Sequence, residues 1–480
     1  MNALSAVAAV VLGGAGLAAA AFPERASGVC DRVLRAMAAV VFGLGAWSAG
    51  YAASLLAFGA GESVRVVKDV AIALCGVALI AVRRRPAPPQ VSGEVGDEAP
   101  RWLIGVFVVA CAVFCLVFVE HSIRAPEGGF DAWMLWNSRA RFLARAGDDF
   151  RVAFSPRLLF WTHQDYPWLL PGLVAQWFII TRTESPAIPA AVGLVFGAAT
   201  IAIVTCSLAR LRGARAALVG GLAVASLPCF AAFGASQQAD VPLAAFVALA
   251  AALVAMAVDD PRKPLRPLLL AGFAAGLGAW TKNDGLVYLI SIAAALLLRL
   301  RDVRAAAIFA LGSVPVLALL CAFKLGLSPT NDFLLFTTRA DLVARFVDAR
   351  RWVEVIGLAL RQAIYFQDFA LWAAAAAVLG VIIRRNLRAD PAPSVLGLSV
   401  LLALGAFGAI YVLQPHSLKW MFWSSASRVF VQMWPAAVVA LVAAVPWKAT
   451  VIELEDPERD VRGQQTQDGQ QRAGAHVDHR

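Results

Sequence analysis

A chain of 480 residues that is 60% hydrophobic and only 15% charged, with a mean hydropathy of +0.71, cannot hide its apolar surface inside a water-soluble core. Its net charge of +10 gathers in short basic runs between apolar stretches, such as Arg83-Arg84-Arg85, Arg210 with Arg212 and Arg215, and Arg384-Arg385. Cytoplasmic anchoring charge sits in such places, so the surplus points to a bilayer and away from nucleic acid. None of the seven cysteines forms a CxxC pair, which argues against both a zinc site and a disulfide scaffold.

About 20 apolar residues cross a bilayer. Runs of this kind predict an all-α integral membrane protein, a polytopic helical bundle of about 13 spans: 1–21, 36–58, 66–82, 102–119, 187–208, 216–233, 241–258, 266–281, 285–299, 303–323, 363–383, 394–413 and 429–446. The first run lacks a basic leader and more spans follow, so it reads as a retained span. The Pro-rich, charged linker RRRPAPPQVSGEVGDEAPR at 83–101 divides an N-terminal three-span unit, 1–82, from a ten-span body, 102–446. The polar, Gln-rich tail at 447–480 reads as disordered and cytoplasmic. No inverted repeat is apparent.

Placing the basic loops in the cytoplasm leaves 121–186, 234–240, 282–284, 324–362 and 414–428 outside. Residues 168–180 (WLLPGLVAQWFII) are apolar but too few to cross, and parity makes them an interfacial or re-entrant helix of the first external loop. Trp133, Trp136, Trp161, Trp168 and Trp177 in that loop suit a helix at the headgroup level.

The external loops hold the candidate chemistry. Loop 121–165 carries six arginines beside Glu127, Asp131, Asp148, Asp149 and Asp165, either as ion pairs and headgroup contacts or as a phosphate site. Asp131 and Asp240 each precede or open an apolar helix, where a plain N-cap would explain them. Lys282 lies on a tight turn, where snorkelling would explain it. His163 to Pro171 (HQDYPWLLP) form a further polar and aromatic cluster. His416, Lys419 and Arg428 precede the final span, as interfacial anchors or as ligands of a lipid phosphate. All of these fall on one predicted side of the bilayer.

The order FDAW, HQDYPWLLP, ADVPLAAF, TKNDG and SASRVFVQMWP resembles the large GT-C membrane glycosyltransferases over roughly residues 102–445. The nearest patterns are those of the protein O-mannosyltransferases, the lipid A aminoarabinose transferases and related bacterial sugar transferases of lipopolysaccharide and the cell wall. The resemblance implies that Asp131 is the catalytic base and Asp240 a second acid near the acceptor or a metal. It also implies that His163, Tyr166 and Pro167 match the family's histidine motif. Gln164-Asp165 stand where the familiar form has two prolines, which leaves Asp165 as an additional acid. Asp131 is followed by Ala132 and not by glutamate, which favours a glycan or lipid acceptor over protein. The three N-terminal spans are additional to the usual arrangement.

The implied reaction is inverting transfer of a sugar from a polyprenyl-phosphate donor to a cell-envelope acceptor, at the outer face of a bacterial plasma membrane. Lys282, Arg428 and His163 would stabilise the leaving phosphate. Asp131 and Asp240 could share a divalent cation, although no ligand spacing demands one. The competing readings are a lipid-linked glycan flippase or transporter, a purely structural membrane protein, and a glycan polymerase or ligase. Arg139, Arg141, Arg145, Arg151 and Arg157 keep the last of these open.

Overall fold

The computed structural model describes residues 2–22, 26, 28–82, 99–158, 162–260, 265–365 and 390–447. Residues 83–98 of the expected linker 83–101, most of the expected span 363–383 and the tail from 448 lie outside these residues, as does Trp161. The described elements are helices and turns, as the apolar runs predict.

In chain order the helices are α1 (Ala3–Ala21), α2 (Val29–Phe58), α3 (Glu62–Ala81), α4 (Arg101–Arg124), α5 (Asn137–Arg145), α6 (Leu169–Thr181) and α7 (Ala187–Arg212). There follow α8 (Ala214–Ala225), α9 (Pro228–Ala235), α10 (Asp240–Asp259), α11 (Leu265–Thr281), α12 (Asp284–Leu300) and α13 (Val303–Gly326). The set closes with α14 (Arg339–Val347), α15 (Ala349–Tyr365), α16 (Pro391–Leu413) and α17 (Leu418–Ala443).

Among the described residues, eight helices are long and apolar enough to cross a membrane: α1, α2, α4, α7, α10, α13, α16 and α17. The run at 216–233 is a broken pair, α8 and α9, bent by 57°. Pro228 opens its second half, where its missing N–H costs no helical hydrogen bond. Three more expected spans are helical but differ in kind. Helices α11 and α12 have only 17 residues each, and α3 carries Arg65, Lys68 and Asp69 in its first half.

Helix α10 is the axis of the bundle. Of its most apolar window, 89% is buried, and α7, α11, α16 and α17 pack around it. Small residues let helices approach closely where lipid supplies no hydrophobic drive. A Cβ at Gly272 would stand 1.8 Å from the Phe309 carbonyl, and one at Gly312 1.8 Å from that of Leu269, so α11 and α13 touch backbone to backbone.

The three N-terminal helices are fused to the body: the described residues on both sides of 83–98 belong to one compact unit. Helix α2 packs on α6 and α7, and Ser48 Oγ donates to the Leu169 carbonyl at 2.6 Å. A buried pair on α3, Lys68 and Asp69, is joined at 2.8 Å. Lys68 also donates to Gln176 of α6, and Trp47 Nε1 donates to Asp69 at 2.8 Å.

The helix expected at 168–180 of the first large loop is present and packs into the bundle. Helix α6 is internal, with Leu169, Leu173 and Ala175 fully buried. Trp136 and Trp168 are core residues at 1% and 0% exposure, while Trp133 is exposed. Trp168 packs against Trp280, Phe154 and Phe323, so these rings fill the gap between loop and bundle.

Candidate active site

Four separated segments meet where α10 begins. Residues 126–137 are laid across the turn before α10: Gly129 N donates to the Ser236 carbonyl at 3.1 Å and Asn137 Nδ2 to Gln237 Oε1 at 2.6 Å. Gln237 holds a left-handed backbone (φ 57°) and donates to the Pro126 carbonyl at 2.7 Å. This stitching sets Asp131 beside Asp240. From the other side comes the turn between α11 and α12. It is tight because Gly285 sits against the Gly278 carbonyl, where a Cβ would stand 2.2 Å away.

The result is a chain of alternating charge. Arg428 Nη1 donates to Asp131 Oδ2 at 2.5 Å, and Arg428 Nε to Asp240 Oδ2 at 2.9 Å. Lys282 Nζ lies 3.0 Å from Asp240 Oδ1 and 2.8 Å from Asp284 Oδ2. Gln432, one turn beyond Arg428 on α17, donates to Asp240 and, at 3.1 Å, to Asp284 Oδ2. Asp240 is completely buried, whereas the Asp131 side chain is 26% exposed, so the chain runs from the interior to an open end. Three carboxylates face two cations, leaving one surplus negative charge among these five groups.

This geometry replaces the simpler explanations of each residue. Asp131 makes no capping hydrogen bond to the helix it precedes, and its carboxylate turns to Arg428. Lys282 does not snorkel; it is 5% exposed and ion-paired on both sides. Arg428 is not a peripheral anchor, because it bridges two acids from different loops. Its guanidinium stands between Asp131 and Asp240, the two acids for which a shared divalent cation was left open. Among the described residues no group of three or more His, Cys, Asp or Glu side chains is placed to hold a metal ion. The donor set present here fits a guanidinium better than a metal.

His163, Asp165 and Tyr166 lie on one turn beside this chain, with Tyr166 within electrostatic reach of Arg428. Buried Arg139 donates to the carbonyls of Thr162 (2.7 Å), His163 (2.8 Å) and Tyr166 (3.1 Å), clamping the turn that carries them. Burial pulls the Arg139 guanidinium down to about 10, against the opposing pull of Asp165, so it stays cationic at neutral pH. His163 adopts φ 41° and stacks on Tyr166 with centroids 4.9 Å apart. Asp165 Oδ2 accepts from Asn283 Nδ2 at 2.8 Å and Asn331 Nδ2 at 2.6 Å, with Lys324 Nζ at 3.6 Å. Asn283 lies between Lys282 and Asp284, so Asp165 holds the same turn from its far side.

Sequence reasoning missed Gln432, Asp284, Asn283, Asn331 and Lys324. Gln432 carried one usable signal, its i+4 spacing from Arg428 on a single helical face. Asp284 and Asn283 lay in the TKNDG turn beside Lys282. Asn331 and Lys324 carried no local signal. The loop arginines have local roles: Arg141 pairs with Glu127 at 2.8 Å, and Arg145 pairs with Glu184.

Residues 173–325 match the family model for dolichyl-phosphate-mannose-protein mannosyltransferase. No curated protein and no solved structure gives a significant match. The matched stretch runs from α6 to the end of α13 and supplies Asp240, Lys282, Asp284 and Lys324, so the likeness falls on helices that build the charged chain. Over that stretch the match supports a GT-C membrane glycosyltransferase.

Proposed function

We propose that this multi-pass membrane protein is an inverting glycosyltransferase. It moves a sugar from a polyprenyl-phosphate donor to a glycan or lipid acceptor of the cell envelope, with the site end of the bundle facing the exterior of a bacterial plasma membrane. The observation that carries the reading is the convergence of Asp131, Arg428, Asp240, Lys282 and Asp284 at the head of the central helix. A base, two cations and a buried carboxylate that orients them are what sugar transfer from a phosphodiester requires.

Asp131 is the base because it is the exposed end of the chain. At rest Arg428 holds it. The donor phosphate competes for Arg428, loosening its grip on Asp131. Asp131 then takes the acceptor hydroxyl proton as that oxygen bonds to the anomeric carbon. The bond from that carbon to the phosphate oxygen breaks on the opposite face, inverting the centre, and its electron pair leaves with polyprenyl phosphate. Arg428 and Lys282 face the charge that develops there, and Asp240 with Gln432 keeps both in place. Arg428 performs the bridging task a divalent cation would otherwise serve. Asp165, His163 and Tyr166 support the sugar side of the site through the 282–284 turn.

Of the five loop arginines that kept a glycan polymerase or ligase open, Arg139, Arg141 and Arg145 are engaged by local carbonyls and carboxylates, which weighs against that reading. A flippase or transporter would show charge along a path through the bundle, whereas this chain of charge is confined to one end of α10. The test uses the purified protein in nanodiscs with polyprenyl-phosphate hexoses and envelope acceptors. Release of polyprenyl phosphate together with acceptor glycosylation supports the reading. Movement of intact donor between leaflets without release would replace it with the flippase.

A further inference from the structure

Helices α14 and α15 present an apolar face that is exposed among the described residues. Thr338 and Asp341 start α14 with a reciprocal capping box, the Thr338 N to Asp341 Oδ2 distance being 2.9 Å. On α14, Val343, Phe346 and Val347 are exposed at the i, i+3, i+4 spacing of one stripe. Helix α15 has three sectors. Val355 is buried, and with Trp352, Leu358 and Ala359 packs on Tyr411, Val412, Leu418 and Phe422. Val353, Ile356 and Leu360 form an exposed stripe at 70%, 54% and 59%. Arg350, Glu354 and Arg361 line the edge between that stripe and the water side.

The depth of this pair is fixed by its attachments. Arg345 donates to the Leu413 carbonyl at 3.0 Å, and Arg351 donates to the carbonyls of Val412 and Gln414 at 2.9 Å each. These carbonyls close the membrane-spanning helix α16, where cations are favoured by the free acceptors and the helix dipole. A helix pair capping the last turn of a span lies at the lipid–water boundary, on the site end of the bundle. Exposed Trp420 and Trp423 at the start of α17 sit on the adjoining segment, and such rings favour that boundary.

The geometry points to an in-plane docking surface for anionic lipid headgroups, with the two apolar stripes in the acyl layer. Charge selects this occupant over a neutral one. Asp341 and Asp348 are used at helix starts, Asp348 Oδ1 accepting from Arg350 N at 2.9 Å. Arg339, Arg350 and Arg361 form no ion pair among the described residues, against the single free carboxylate of Glu354. Unpaired arginines beside an apolar stripe match a lipid phosphate above and acyl chains below.

A photo-crosslinking amino acid placed at Val353 or Ile356 of the full chain, in nanodiscs of mixed phosphatidylcholine and phosphatidylglycerol, tests this. The expected product is a covalent lipid adduct enriched at least about threefold in phosphatidylglycerol over the bulk ratio. Arg339→Gln/Arg350→Gln/Arg361→Gln should abolish the enrichment while leaving lipid adducts. Lipid adducts without enrichment in the parent chain would overturn the anionic preference. Dimers, intrachain crosslinks or no adduct would overturn the lipid surface itself, showing in turn a second copy, a covering segment of the chain, or water.

Discussion

At the end of the bundle opposite the site, Arg212 pairs with Asp259 at 3.1 Å and with Asp390, and donates to the Ala443 carbonyl at 2.7 Å. Nearby, Asp31 pairs with Arg210 at 3.0 Å and Arg35 at 3.2 Å. These three arginines and three aspartates balance, and each group ties helix ends together. At the site end, three acids share two cations and one acid is fully buried. Burying charge is expensive even when paired, and an unbalanced set more so. Helix α10 carries both arrangements, Asp259 at one end and Asp240 at the other, about 30 Å apart. The contrast separates charge used as a staple from charge held ready for a reaction.

Substitutions at the two ends should therefore fail differently. The largest effect is expected for Asp131→Asn, which removes the base but keeps shape: transfer should fall about 10²–10⁴-fold with an unchanged unfolding midpoint. Full polyprenyl-phosphate release by that variant would end the assignment. Next is Lys282→Met, which strands fully buried Asp240 and half-buried Asp284. Unfolding in detergent should show a loss of about 3–5 kcal/mol, partly restored by adding Asp240→Asn. At the opposite end, Arg212→Ala should cost about 1.5–3 kcal/mol in the same assay while the rate per folded molecule stays constant. A fall in that rate would erase the distinction between the ends. Arg428→Lys keeps a charge but loses the fork that spans two carboxylates, and kcat/KM for the donor should drop about tenfold. Smallest is Arg145→Ala, an exposed pair with Glu184, for which no shift in melting should be measurable.

The spanning helices were legible because a bilayer demands long apolar runs, and α2, α4, α7, α10, α13, α16 and α17 meet that demand openly. Convergence of Asp131, Asp240, Lys282 and Arg428 was legible for a related reason: basic loops define one end of the bundle, and the remaining loops must share the other. What sequence could not show was pairing. Whether Asp131 capped its own helix or reached Arg428, 297 positions away, depends on tertiary approach alone. Helix α6 was legible as a helix too short to span, but its protein partners were not, for the same reason. Thirteen apolar residues do not say which helices will cover them, and here α2 and α5 do. Asp165 could be suspected as an acid, but its carboxamide partners came from positions 283 and 331, with no periodicity to link them.

The wrapping of α10 has a consequence for the lipid environment. Bilayers of different thickness make spanning helices tilt or shift, at fractions of a kcal/mol per Å of mismatch. Peripheral helices such as α4, with only 22% of its window buried, absorb that adjustment, while the central rod stays enclosed by its neighbours. Acyl chain length should thus alter the outline of this protein far more than its turnover.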